Sequence, residues 1–269
     1  MDSDRRWLKS DRWDEWQALK TEQKKGAPPP APQKPYPAGA VLHDLVPPEG
    51  LGVGRMPLFE AIAQRRSRRK YTEDPLSLEE LSFLLWATQG VDRDATHAIR
   101  DWFSGQGHSA AARATSPLRT VPSAGARHPF ETYLLVHRVS DLPPGLYRYL
   151  PMEHKLLFLR AGTELLDQTS EAFMRWVQQS AVLFLWTAVP YRSEWRYAFV
   201  AHKMIAQESG HICQNLYLAA ESIGAGACAI GAYDQAQVDA LLGVDGEDEF
   251  AIYVAPVGKV APAGYHFEH

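Results

Sequence analysis

The sequence predicts an α+β fold, and three observations carry that reading. FETYLLVH at 130–137 and AVLFLWTAV at 181–189 are apolar runs rich in β-formers, as buried strands require. Stretches with apolar residues three and four apart flank them, which is the helix period. The two kinds of segment then mix without the regular βαβ alternation of a doubly wound sheet. With 269 residues, 45% hydrophobic and 22% charged, the chain is long enough for one large domain or two small ones with a sizeable core.

Residues 5–25, rich in Trp, Lys, Asp and Glu, suit a helix that docks Trp7, Leu8, Trp13 and Trp16. The proline-rich APPPAPQKPYP ending at Pro37 can be neither helix nor central strand, because proline fixes φ and lacks a donor. A free linker and a strap pinned by Tyr36 both fit it. Composition shifts near residue 40, which separates an arm (1–40) from a body (41–269). From Pro57, a helix places Leu58, Ile62 and Arg65 on one face. Ser77 followed by Glu80 has capping-box spacing, and Leu78, Leu81, Leu84, Leu85 and Thr88 form the stripe of a helix that Gly90 stops. Residues 92–118, small and polar, read as irregular. GLYRYLPMEHKLLFLR reads as a hairpin, and Leu165, Leu166, Phe173 and Trp176 mark an amphipathic helix. A long helix is expected from Trp195 to Ile223, then a short one capped by Asp234 and carrying Val238, Leu241 and Leu242. FAIYVAPVG (250–258) closes the core as a strand.

Composition excludes several functions. Lys+Arg number 28 against 32 Asp+Glu, so the net charge of -4 argues against bulk nucleic-acid binding. Nothing approaches the ~18 apolar residues of a membrane span, and MDSDRRWLKS lacks the apolar run of a secretory signal. Cys213 and Cys228 form no CxxC, and the histidines are scattered, so no metal is expected and the chain reads as cytoplasmic and reduced. No GxGxxG follows a strand, and neither a P-loop nor GxSxG occurs.

RRSRRKY is the strongest local signal, with basic residues at 65, 66, 68, 69 and 70. Such charges repel, so a bound anion is one reason to hold them together; guanidinium binds phosphate by paired hydrogen bonds. A solvated helix end is the other reading. GAGACAIG (224–231) has the glycines that let backbone pass close to a flat ligand or another strand; PSAGARHP (122–129) has the small residues that suit approach to a planar ring, and a plain turn explains it equally well.

Taken in order, RRSRRKY, LSLEELSFLLWATQGV (76–91), RTVPSAGARHPFETYLLV (119–136), PGLYRY (144–149), ESGHICQNLYLAAESIGAG (208–226), AIGAYD (229–234) and LLGVDGEDE (241–249) share a pattern. With PYP at 35–37, the chain over about 36–260 resembles the flavin-dependent nitroreductase superfamily, and within it the SagB-type dehydrogenase branch that includes azoline oxidases. The resemblance implies a central, mostly antiparallel sheet flanked by helices, in an intertwined homodimer with two FMN sites built from both subunits. It assigns Arg65, Arg66 and Ser67 to the FMN phosphate and ribityl chain and Arg69 to the N1/C2 edge of the ring. The loop Pro122, Ser123, Ala124 and Gly125 would contact the ring, with Ile230 and Gly231 along the opposite side. Lys259 stands where many relatives place a phosphate ligand, although the SagB-type branch often has Gly-x-Pro there.

The catalytic residues so implied are Arg69, whose permanent charge favours negative charge gathering at the ring edge, and Tyr197, as acid, base or substrate anchor. Azoline oxidases carry Lys-Tyr where this chain has Arg196 and Tyr197, and arginine is a poor base. The implied activity is hydride transfer through FMN, between NAD(P)H or an organic donor and a small acceptor such as a nitroaromatic or quinone. Dehydrogenation of a peptide azoline, and a non-catalytic flavin-binding subunit, are the alternatives.

Overall fold

The computed structural model describes residues 5, 7–105, 117–162 and 164–261. In chain order these form α1 (Trp13–Ala18), β1 (Leu42–Asp44), α2 (Leu58–Gln64), α3 (Leu78–Gln89), α4 (Arg93–Gly105), β2 (Phe130–Val136), β3 (Gly145–Leu150) and β4 (Lys155–Arg160). There follow α5 (Glu164–Ala172), β5 (Val182–Ala188), α6 (Tyr191–Tyr197), α7 (Ala201–Ser222), β6 (Ala225–Ala227), α8 (Gln235–Leu242) and β7 (Phe250–Lys259). The strands make one sheet in the order β1-β4-β3-β2-β5-β7-β6, with every neighbouring pair antiparallel. The α+β expectation holds.

The centre of the sheet follows from its sequence. β2 and β5 pair from Phe130↔Ala188 to Val136↔Val182, and both are buried along their whole length. Because strand side chains alternate, their continuous apolar runs feed two cores. Leu134, Val136, Phe184 and Trp186 join Leu81, Leu84 and Leu85 of α3 and Ile205, Ile212 and Leu216 of α7. Tyr133, Leu135, Leu183 and Leu185 join Leu165 of α5 and Val238, Leu241 and Leu242 of α8. The sheet is therefore sandwiched, with the long α7 on one face.

The expected caps form. Ser77 Oγ accepts from the Glu80 amide at 3.1 Å while the Glu80 carboxylate accepts from the Ser77 amide at 2.9 Å. Asp234 Oδ1 accepts from the Gln237 amide at 3.0 Å. Three expectations need correction. The segment read as irregular at 92–118 contains α4, whose first turn is held by Asp92 Oδ1 accepting from the Ala95 amide at 2.8 Å; residues 106–116 lie outside those described. The helix expected from Trp195 to Ile223 breaks at Ala198, whose backbone turns to φ 48°, ψ -138°. The N-terminal helix spans only Trp13–Ala18, so that packing there comes from indole rings rather than helix length. Trp13 and Trp16 meet edge to face at 5.0 Å, and Trp7 and Leu8 stay exposed.

The proline-rich segment is a strap. Arg148 donates to the Lys34 and Pro35 carbonyls at 3.0 and 2.9 Å, and Lys34 pairs with buried Glu249. The Lys34 amide donates to Glu131 at 2.8 Å, while the Tyr36 hydroxyl reaches Glu153 at 3.4 Å.

Candidate functional site

Two loops carry the residues singled out by sequence, and both lean on α7. The first begins where α2 ends at Gln64 and the chain turns to lie beside β6. Ser67 bridges to Ala227, and the Arg68 amide donates to the Ala227 carbonyl at 2.9 Å. Tyr217 of α7 is the fastener: its hydroxyl accepts from the Ala229 amide at 2.7 Å and meets Ser67 Oγ at 3.1 Å. The Arg65 guanidinium lies 5.3 Å from the centre of the same ring, within cation–π range. Gly226 has to be glycine, because a Cβ there would sit 2.4 Å from Arg68 Cγ. Tyr71 locks the far end by donating to the Arg68 and Pro256 carbonyls at 2.8 and 3.1 Å.

This loop presents Arg66, Ser67 and Arg69 to solvent, with Arg65 partly covered. Arg66 Nη1 donates to the Ala63 and Arg65 carbonyls at 3.0 and 2.8 Å, which fixes its guanidinium at the end of α2. Ile230 is buried and its amide donates to Val254 at 2.7 Å, whereas Gly231 is exposed with open space around it. Cys228 is buried beside them; burial raises its thiol pKa, and Arg69 opposes that rise. Lys259 is engaged elsewhere in the chain, paired with Glu80 and donating to the Ile223 carbonyl at 2.9 Å.

The second loop is shaped by backbone. After exposed Pro122, Gly125, Ala126 and His128 all have positive φ (59°, 52° and 46°), a conformation costly for the two non-glycine residues. Ser123 Oγ accepts from the His128 amide at 2.8 Å, and Glu208 of α7 accepts from the Ala124 amide at 2.7 Å. Glu208 is buried, its second oxygen has no partner, and desolvation raises its pKa, with the Ala124 amide and Ser123 opposing. His128 is buried too; desolvation first, then the charges of Arg119, Arg127 and Arg192, hold its pKa well below the usual histidine value, so the ring is neutral. A Cβ at Gly125 would lie 2.7 Å from the Tyr197 hydroxyl and 3.1 Å from Arg196 Cδ. Tyr197 and the Gly125 loop are thus neighbours, as the spacing of the sequence did not reveal.

Tyr197 is held from the arm. Trp16 lies 6.2 Å from its ring, and Trp16 Nε1 donates to the Arg196 carbonyl at 3.4 Å. The structure therefore groups Arg65, Arg66, Ser67 and Arg69 with the 227–230 segment, and Ser123–Gly125 with Tyr197. Tyr217 and Glu208, which join these groups to α7, were not foreseen. They stand nine positions apart, about 13.5 Å along the helix at 1.5 Å per residue. Glu208 had a visible signal: it shares the helical face of Ile205, Ile212 and Cys213, an acid on an apolar stripe. Among the described residues, no group of three or more His, Cys, Asp or Glu is placed to hold a metal, and no helix is long and apolar enough to cross a membrane.

A profile described as the Nitroreductase family matches residues 62–259. A protein of Methanocaldococcus jannaschii that carries the name nitroreductase is 30% identical over 207 residues, covering 75% of this chain and 90% of its own. A crystal structure of a Ralstonia eutropha protein, also named for nitroreductase, is 25% identical with a TM-score of 0.64, over 88% of this chain and all (100%) of that one. The Escherichia coli microcin synthetase McbBCD complex, with truncated pro-MccB17 bound, contains a chain of like fold: TM-score 0.56 and 19% identity, over 75% of this chain and 73% of that one.

Proposed function

Since the chain belongs to the nitroreductase family and is an oxidoreductase of that family, we propose that it uses FMN to pass a hydride from NAD(P)H or an organic donor to a small acceptor, a nitroaromatic or quinone. The observation that carries this reading is the Tyr217 fastening, which holds Ser67 and Arg65 in an exposed arginine-rich loop against the 227–229 segment, two residues before the uncrowded backbone of Gly231. Residues of that kind fit a phosphate-tailed planar cofactor: guanidinium forks and a hydroxyl for the tail, and backbone without side chains for the ring.

In this reading Arg65, Arg66 and Ser67 hold the phosphate and ribityl chain. Arg69 supplies a fixed positive charge at the polar edge of the ring, which lowers the cost of negative charge developing there. FMN, when bound, supplies reversible hydride uptake. Ser123, Ala124 and Gly125, after Pro122, form a wall that needs no side-chain bulk, and Ile230 with Gly231 forms the facing one. Tyr197 places a hydroxyl at that wall, able to bind substrate or hold a proton at its oxygen. Lys259 contributes through Glu80 rather than directly, since its ammonium is already paired.

We assign the working form to a homodimer, in which residues 41–269 form the body and residues 1–40 an arm upon it. Support comes from α2, where Leu58, Phe59 and Ile62 are 65%, 82% and 57% exposed next to the arginine ledge, a patch that a second copy would cover. A second reading within the SagB-type branch, azoline dehydrogenation on a peptide, draws on the fold shared with the chain in the McbBCD complex; Arg196 in place of lysine disfavours it. A flavin-binding subunit without turnover is the third.

The test is the visible spectrum of purified protein, followed by anaerobic NADH and NADPH titration. Flavin absorbance that bleaches on titration is expected. Arg66→Ala should weaken FMN binding about tenfold to a hundredfold, the worth of one or two charge-assisted hydrogen bonds. Colourless protein that takes up no added FMN overturns the reading. Flavin that neither NADH, NADPH nor an azoline peptide reduces assigns the subunit role instead.

A further inference from the structure

The arm and the α6–α7 junction form a half-open pocket of about 380 Å³, within the size range of small-molecule sites. Trp7 and Trp13 from the arm, and Phe199 and Met204 from the junction, supply its apolar lining. Lys9 and Lys203 stand among the lining residues, and Lys203 donates to Ser10 Oγ at 3.1 Å. Arg12 adds a guanidinium stacked 3.7 Å from the centre of the Phe199 ring, but its charge is balanced by Glu15 at 3.0 Å. The lining is aromatic with an excess of positive charge.

The cavity connects to the site already described through Tyr197. Phe199 follows Tyr197 by two residues, and the intervening Ala198 has φ 48°, a strained backbone for alanine that fixes the direction in which Phe199 leaves α6. Trp16, three residues beyond Trp13, lies against Tyr197. The arm wall, moreover, precedes the segment that matches the nitroreductase family, which begins at residue 62. That wall lies outside the matched segment.

We propose that this cavity is a substrate-binding annex that selects planar aromatic acceptors bearing a negatively charged group, a carboxylate above all, and that the arm is its specificity element. The proposal rests on the oxidoreductase reading above and names the substrate class of that site. Indole and phenyl faces stack on a flat, electron-poor ring, while an ammonium on the rim pairs with the carboxylate. Lys203 has the shorter reach to fix, since α7 is a rigid base and its ammonium is already oriented by Ser10.

The experiment compares 4-nitrobenzoate with its uncharged isostere 4-nitrobenzamide on the full-length, flavin-loaded protein. Wild type should favour the benzoate in kcat/KM, and Lys203→Gln should lower that benzoate-to-benzamide ratio at least tenfold. Phe199→Ala should raise KM for both compounds severalfold. Flavin per chain should match wild type in each variant. Independently of turnover, 4-nitrobenzoate should quench tryptophan fluorescence saturably, with the midpoint shifted about tenfold in Lys203→Gln. A ratio and a midpoint unmoved in Lys203→Gln, with KM unmoved in Phe199→Ala, overturn the annex. Lys203-dependent quenching in a protein that neither binds flavin nor turns over would uphold the ligand class of the cavity and discard the FMN hydride-transfer reading, so the two failures are told apart.

Discussion

The arginine loop at 65–69 and the Ser123–His128 loop are opposites built on the same helix. The first is exposed and cationic, held by the hydroxyls of Tyr217 and Tyr71 and by a short bridge to β6. The second is bent through three positive φ angles and braced by a buried acid and a buried neutral histidine. Side-chain charge does the work in the first, backbone shape in the second. Damage to the first should therefore show as lost ligand affinity, and damage to the second as lost stability or altered turnover.

The sharpest way to break this contrast is Gly125→Ala. A methyl at φ 59°, placed 2.7 Å from the Tyr197 hydroxyl, should cost about 2 kcal/mol in chemical denaturation, with flavin affinity falling much less. Tyr197→Phe in the same chain removes the oxygen that clashes and should recover part of the loss. No recovery would mean that the strain is backbone alone. A smaller effect is expected on the other loop. Tyr217→Phe deletes the hydroxyl that satisfies Ala229 and meets Ser67, and should weaken FMN about fivefold, roughly 1 kcal/mol, with the denaturation midpoint little moved. An affinity loss in Gly125→Ala larger than in Tyr217→Phe would erase the distinction.

An effect of similar size concerns pH. His128 faces Arg119, Arg127 and Arg192, and its folded pKa is depressed. The unfolded chain then binds a proton that the folded one refuses, so the contribution is intact above the ordinary histidine value of ~6.5 and is lost as pH falls below it. Denaturation midpoints should drop between about pH 7.5 and 5.5 by an amount worth roughly 1 kcal/mol, and His128→Asn should flatten that slope. A slope unchanged in the variant would place the acid sensitivity elsewhere.

The difference between the loops also explains what could be read from sequence. Charge clusters, caps and apolar runs are local, so RRSRRKY, the Ser77–Glu80 box, the Asp234 cap and the strands β2 and β5 were legible. Shape set by distant partners was not. Nothing near Ala198 marks a break, since neither glycine nor proline stands there and the turn is imposed by packing around Tyr197 and Phe199. α4 was hidden by its small and polar composition, although its apolar residues keep the helical period and Asp92 offered a start signal. The pairing of Glu208 with Ala124 spans 84 positions, and that of Tyr217 with Ser67 spans 150, beyond any local pattern.

Because Glu208 and Tyr217 ride on one uninterrupted α-helix, their angular phase is fixed by the helical repeat. One residue inserted between them would swing Tyr217 by about 100° relative to Glu208, so the two loops would no longer be served by the same rod. Seven inserted residues would nearly restore the angle yet stretch the span by about 10.5 Å. α7 thus acts as a gauge bar: evolution can redraw either loop freely, but the number of residues between those two side chains is not adjustable in small steps.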